Sequence, residues 1–339
     1  MRLESALPRI VFGAGTSHTP VLALAPANWE ARSTADRANP ALNLSDGRFL
    51  SYAELEREVG EVFAPQARLA VYEEKAAGAQ RALDRLASDL QDAAVDIVVI
   101  IGDDQEELFS AANQPAFAIY CGNELVTNDH YGAEGNPEWM RQVAPGYAMD
   151  RCRSFPAAPG LALDVVRGLM DAGVDVSVSS NVVDPAKAGF GHAFGFVIQR
   201  LFNGRQIPVL PVLLNTYYPP NVPTSQRCYE IGQALRRSIE SAAGNERVAV
   251  IASGGLSHFV VDEALDRQVL ESLGGDHAIL RRIPRCALNS GSSEILNWVM
   301  VAGAVGPRPL RWSDYYPIYR TPAGTGVGVG MAVWDMMGT

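Results

Sequence analysis

Cysteine is scarce in this chain: four residues, Cys121, Cys152, Cys228 and Cys286, lie far apart with no CxxC pair among them. That excludes a disulfide framework and fits reduced thiols in a cytoplasm. Charge is sparse at 19% of residues, and no long block of one sign marks a disordered tail or linker. What charge there is leans acidic, to a net of −10, which argues against nucleic acid or an anionic membrane surface as partner. No apolar run approaches the length that spans a bilayer. The opening MRLESALPRI carries Glu4 and no long apolar core, so no signal peptide is expected. These absences predict a soluble cytoplasmic protein.

The chain does hold a large apolar fraction, 47% of 339 residues, enough for a substantial core. Short apolar runs bounded by Gly, Pro or Asn predict strands at 10–12, 95–102, 117–120, 174–179, 207–214, 247–252 and 326–334. Helical periodicity predicts helices at 52–63, 72–93, 161–172, 224–243, 262–273 and 292–305, with a further one after the GFGHAFGF run in 189–203. Thr224 is placed to cap the fourth of these. Strands and helices alternate throughout, which predicts one α/β domain, 1–339, around a largely parallel central sheet flanked by helices. Two polar stretches interrupt the pattern. Residues 25–46 read as a surface excursion, and 123–155 as a lid or an interface arm bearing Tyr131, Trp139, Tyr147 and Phe155. That second stretch also predicts a closed oligomer, most simply a homodimer.

Five histidines are present: His18, His130, His192, His258 and His277. Three sit in glycine-flanked loops beside a strand or helix end, in GTSHTP, GFGHAFGF and SGGLSHF. Open α/β sheets bind ligands at the carboxyl ends of their strands, so such loops point to a metal or acid–base site. Gly13 and Gly15 are expected to let the chain turn after the first strand, and the glycines around His192 to let its ring project into a cavity. Glu294 opens a helix in GSSEILNW, where a simple preference of acids for a helix N-terminus is the competing reading. Asn215 and Tyr217 follow a strand end and are candidates for lining the pocket, as is Tyr218. Arg151 and Arg153 are candidates to meet a substrate carboxylate, while His130 and His277 read as exposed.

Seven stretches taken together, GAGTSHTP, VVIIGDDQEELF, GFGHAFGF, PVLPVLLNTYYPP, VIASGGLSHFVVDE, GSSEILNWVMVAGA and GTGVGVG, resemble the class III extradiol ring-cleaving dioxygenases, the family of protocatechuate 4,5-dioxygenase catalytic chains. The resemblance runs over nearly the whole chain and implies that family's α/β fold. It implies ring opening of a catechol-like aromatic by O2 at a non-haem Fe(II) held by two histidines and a glutamate. By position, His18 and Glu294 correspond to metal ligands and His192 to the acid–base histidine. His258 corresponds to a loop histidine beside the metal, with a catalytic or substrate-orienting role. Asp104 and Gln105, in the acidic loop, join Asn215 and Tyr217 as substrate-binding candidates.

The family's second histidine ligand has no counterpart, because no histidine occurs between Thr19 and Asp129. Glu73, Glu74, Asp103 and Asp104 are the oxygen donors available in its stead, and a carboxylate-richer site is expected to alter the iron's redox behaviour. The resemblance therefore leaves two other readings open: a same-fold enzyme performing a non-oxidative C–C bond reaction, or a non-catalytic subunit or binding protein. It also leaves room for a small partner subunit that completes the pocket. On a surface this acidic, an anionic aromatic substrate would need local positive groups to hold it.

Overall fold

The computed structural model describes residues 9–336; the first eight residues, on which the reading of the amino terminus rests, lie outside them. Among the described residues no helix is long and apolar enough to cross a membrane. The core is an eight-stranded sheet. Its strands in chain order are β1 (Arg9–Thr16), β2 (Ile97–Asp103), β3 (Phe117–Tyr120), β4 (Ser177–Ser179), β5 (Val209–Leu214), β6 (Arg247–Ser253), β7 (Leu310–Tyr319) and β8 (Gly326–Trp334). Across the sheet they run β7-β8-β1-β6-β2-β5-β3-β4. The central four, β1, β6, β2 and β5, are mutually parallel, whereas β8 and β3 join them antiparallel on either side.

Helices cover both faces, which is why the central strands read as continuous apolar runs and not as an alternation. Along β2, Ile97, Val99 and Ile101 enter one core cluster, while Val98 and Ile100 enter the other. One face packs against α1 (Leu69–Asp92) and α3 (His192–Leu201). The opposite face packs against α2 (Pro159–Asp171), α4 (Ser225–Glu240), α5 (Glu263–Leu273) and α6 (Ile295–Val305). Thr224 and Asp262 cap α4 and α5 through their side chains.

Two glycine expectations are corrected here. Gly13 and Gly15 lie inside β1 and not in a turn. A Cβ on Gly13 would sit 2.5 Å from Val305 Cγ2, and one on Gly15 would sit 2.3 Å from Trp298 Cζ3, so these glycines let α6 approach the strand. Gly191 and Gly195 likewise answer to close approach: their Cβ atoms would lie 1.7 Å from Glu107 Cδ and 1.7 Å from the Tyr147 carbonyl oxygen.

The 123–155 stretch is more ordered than its polarity predicts. It contains a short strand Glu124–Val126 paired with Ser154–Pro156 and a short helix Glu138–Val143, and it buries Val143, Tyr147 and Met149 in the same core cluster as α3. His277 is corrected too: it is buried, with its ring nitrogens on Tyr229 Oη and the Leu273 carbonyl. His130 is half-buried.

Candidate metal centre

The register of the parallel strands brings Thr16 beside Ser253 and Ser253 beside Gly102, so the segments leaving β1, β6 and β2 emerge together at one edge of the sheet. From them come His18, the Gly254-Gly255 turn with His258, and Asp103. Glu294 arrives from the turn that leads into α6, and His192 is the first residue of α3.

The result is a buried cluster of His18, Asp103, His192 and Glu294 whose potential ligand atoms all lie within 4.8 Å of one another. His18 Nε2 is 3.3 Å from Glu294 Oε2 and 4.0 Å from Asp103 Oδ1, and His192 Nε2 is 3.9 Å from Asp103 Oδ2. The two imidazole rings meet edge to face with centroids 4.6 Å apart.

The hydrogen-bond network fixes how the His18 ring presents itself. Ser253 Oγ donates to the Ala193 carbonyl at 2.6 Å and so receives the Nδ1–H of His18 at 2.9 Å. The Nε2 lone pair is thereby aimed at the two carboxylates, and Nε2 is buried with no hydrogen-bond partner. Tyr147 Oη donates to the His18 carbonyl and pins the loop from the other side. Asp103 accepts from Gln105 Nε2 (3.0 Å) and Asn297 Nδ2 (3.2 Å). Glu294 accepts from Gly255 N and Gln105 Nε2, and His258 Nε2 lies 3.3 Å from it. The His258 Nδ1–H donates to the Leu256 carbonyl at 2.8 Å. Its ring packs closely against Gly291, where a Cβ would be only 1.9 Å from Cδ2.

The electrostatics follow from burial and from these neighbours. Burial, and then Glu294, raise the Asp103 carboxyl above its ordinary range. Burial works in the same direction on Glu294, but the neighbouring His258 ring is the chief influence that outweighs it, and the carboxyl is held well below the usual range. For His192, burial disfavours the charged ring. Glu107, with Oε1 2.7 Å from Nδ1 and 3.1 Å from the backbone N–H, overrides this together with Asp103 and Glu294, and pushes the pKa up to about 10. His258 is raised on the same pattern, by Glu294 against burial.

Two adjacent buried carboxylates and an orphaned imidazole nitrogen form a set that a divalent cation satisfies. It neutralises the like charges and accepts the lone pair that the fold leaves without a donor. The residues present therefore fit a metal.

Beside the cluster opens a cavity of about 220 Å³, lined among others by His18, Gln105, Tyr131, His192, Tyr217 and His258. Of the four substrate-binding candidates, Gln105 and Tyr217 reach this wall. Asp104 and Asn215 do not, because each is occupied in holding its own loop. Asp104 accepts from the backbone N–H groups of Leu108 and Phe109, and Asn215 accepts from those of Tyr217 and Tyr218. Glu73 and Glu74 are exposed on α1, so of the four oxygen donors offered in place of the missing histidine, Asp103 is the one that stands in the cluster. Arg153 is paired with Asp150 and Arg151 is exposed, which leaves neither on the cavity wall. Sequence reasoning gives no site role to Glu107, although it stands in the acidic loop after β2, or to Arg32; Tyr131 and Trp139, expected on a lid or interface arm, line the cavity.

A fold of this kind with a histidine–carboxylate cluster at its strand ends belongs to a recognisable class. The family model of the catalytic LigB subunit of aromatic ring-opening dioxygenase matches residues 64–330, and the chain is a member of that family. Among individual relatives, it is 31% identical over 132 residues to a gallate dioxygenase of Pseudomonas putida, covering 36% of this chain and 38% of that protein. It is 34% identical over 106 residues to a 2,3-dihydroxyphenylpropionate/2,3-dihydroxicinnamic acid 1,2-dioxygenase of Klebsiella pneumoniae, covering 31% of each. A protein of the same name in Mycolicibacterium paratuberculosis is 29% identical over 183 residues, or 52% of this chain and 48% of that one. The aligned stretches thus span less than half of each of these relatives.

Proposed function

We propose that this chain is a ring-opening dioxygenase of the extradiol type, acting on an aromatic diol with O2 and a divalent metal. The observation that carries the reading is His18 Nε2: buried, without a partner, and locked by Ser253 in the tautomer that faces Asp103 and Glu294. His18, Asp103 and Glu294 are the residues proposed to hold the metal, a one-histidine, two-carboxylate set in place of the usual two histidines and one carboxylate. Iron(II) is the ion proposed, on the family's chemistry. When bound, it would act as Lewis acid and template, bringing the diol and O2 together.

The remaining residues supply proton handling and shape. His192 presents Nε2 to the cluster while Nδ1–H is held by Glu107, an arrangement that stores a proton at a fixed atom and can accept one back from a phenol. The charge on Glu107 keeps that proton in place near neutral pH. His258 and Gln105 both reach Glu294 Oε1 and orient that carboxylate from the cavity side. The 123–155 segment is proposed to cover the cavity, since Tyr131 and Trp139 form part of its wall. We further propose a cytoplasmic homo-oligomer, a reading supported by the four unpaired cysteines and by exposed apolar side chains such as Leu163, Met170 and Val178.

The test joins metal analysis to oxygen uptake on a panel of catechols. His18→Ala is expected to lose bound metal and activity together. His192→Gln is expected to keep its metal while turnover falls by roughly 10²–10⁴-fold. Full metal content in His18→Ala, or full turnover in His192→Gln, would refute the assignment.

A further inference from the structure

One wall of the cavity carries a cation that has no hydrogen-bonded acceptor among the described residues. Arg32 lies on the short helix Glu30–Ala38 and lines the same cavity as His18, His192 and Glu294. Its guanidinium makes no hydrogen bond or ion pair with any described residue, and Nε is buried without a partner. The carboxylate one turn further along the helix, Asp36, is unavailable to it. Asp36 accepts from Arg320 Nε at 2.7 Å, from Arg320 Nη2 at 2.9 Å and from Thr325 Oγ1 at 3.0 Å.

The placement of Arg32 is built, not incidental. Trp29, three residues earlier, is fully buried, bonded to the Leu24 carbonyl and packed against Tyr72 with centroids 5.1 Å apart. The Asp36–Arg320 pair fixes the other end of the helix, and Asn28 bonds Gln142 across to the segment that bears Trp139. Trp139 in turn receives the guanidinium face, with Cζ 4.0 Å from its ring centroid. Stacking on an aromatic stabilises a cation through the ring face, but it gives no acceptor to the N–H groups at the guanidinium edge. A buried donor without an acceptor is costly, and burial followed by the nearby Arg320 pulls the pKa of Arg32 down to about 10. A planar anion meeting that edge would remove the cost, and the rigid fork of arginine matches a carboxylate in shape.

We infer that Arg32, held flat by Trp139, binds a carboxylate carried by the aromatic substrate, and so selects diols with an acidic side group. The identity of the ring rests on the ring-opening reading; the anion site does not. The inference also answers a question posed by composition. A chain with a net charge of −10 repels an aromatic acid at long range, so selectivity for one must come from a local, desolvated cation.

The experiment is titration calorimetry under anaerobic conditions. Its probes are 3,4-dihydroxybenzoate and 3-(2,3-dihydroxyphenyl)propionate, each beside its methyl ester, with the wild-type protein, Arg32→Gln and Arg32→Lys. Wild type should bind at least one acid roughly 10- to 100-fold more tightly than its ester, the range set by a charge-assisted pair of hydrogen bonds. In Arg32→Gln that ratio should fall to near one, and in Arg32→Lys part of it should survive, since charge remains but the fork is lost. A wild-type ratio near one for both acids, or an equal loss for acid and ester in Arg32→Gln, overturns the inference. So does an unchanged ratio in Arg32→Lys and Arg32→Gln alike. Because no turnover is involved, the two readings fail separately. Arg32-dependent acid binding without oxygen uptake refutes ring opening alone, whereas oxygen uptake with an Arg32-independent acid preference refutes the anion site alone.

Discussion

Replacing Glu107 by glutamine removes one charge from beneath His192 and almost nothing else. The side chains are isosteric, and Gly191, whose Cβ would stand 1.7 Å from Glu107 Cδ, leaves space for no larger change. An amide oxygen still accepts from the His192 ring and backbone N–H, so the geometry persists while the electrostatics do not. In the native site the His192 pKa is carried from 6.5 to about 10. Each pKa unit is worth about 1.4 kcal/mol, so protonation of this ring and folding are coupled by a few kcal/mol. The sign is that of a base raised by its partner: the stabilisation is fully present below about pH 6.5 and is lost as pH rises through about 10. In Glu107→Gln the burial that opposes protonation is no longer balanced, and the titration should move back toward neutrality. NMR of the His192 ring in metal-free protein reads that shift directly, and the alkaline limb of the pH–rate profile should move down with it. At pH 8 turnover should fall by on the order of 10²-fold, the lower range for loss of a positioned acid–base group. A His192 titration unmoved by the substitution would refute the account of this pair.

Other outcomes follow from the packing around the site. Gly15→Ala should destabilise the protein by at least about 1–3 kcal/mol, because its methyl would lie 2.3 Å from Trp298 Cζ3; an unchanged urea midpoint would contradict this. The Asp266 carboxyl, pushed by burial to about 6 against the hydrogen bonds of Tyr315 and Ser257, binds its proton more tightly folded than unfolded. Its contribution to stability should therefore decline as pH rises from about 4 to 6, by up to roughly 3 kcal/mol. Asp266→Asn should flatten that part of the stability profile, and parallel curves would count against it. Light scattering at micromolar concentration should give a multiple of the chain mass, and a monomer mass would remove the oligomer proposal.

The legible part of the fold was the part buried on both faces. β2, β5 and β6 announce themselves as unbroken apolar runs because helices cover them above and below. β7 is not legible because it is an edge strand: LRWSDYYPIY mixes polar, aromatic and proline residues, and among the described residues its outer side carries no partner strand that Pro317 could disrupt. At the site, the glycine-flanked histidines were readable because local sequence carries the loop. Asp103 is one of four oxygen donors the sequence offers, and only the folded cluster singles it out; the places of Glu107 and Arg32 are not legible, since each is decided by a contact far along the chain, Glu107 with His192 and Arg32 with Trp139. The same distance misled the reading of His277, whose polar neighbours in sequence give no hint of the Tyr229 hydroxyl that receives it.

The central strand β1 lies between β8 and β6, so the residue that begins the site is flanked by two of the later strands of the chain. His18 meets Ser253 across 235 positions, and Gln105 meets Glu294 across 189. A ribosome emitting this chain exposes His18 and Asp103 long before Glu294 exists to complete the set. If His18, Asp103 and Glu294 hold the metal as proposed, capture waits until the late strands have closed beside the early one, and a chain cut short before residue 294 lacks one of the three ligands. On that proposal metal content becomes an assay of finished folding, with loading belonging to the mature protein and not to its synthesis.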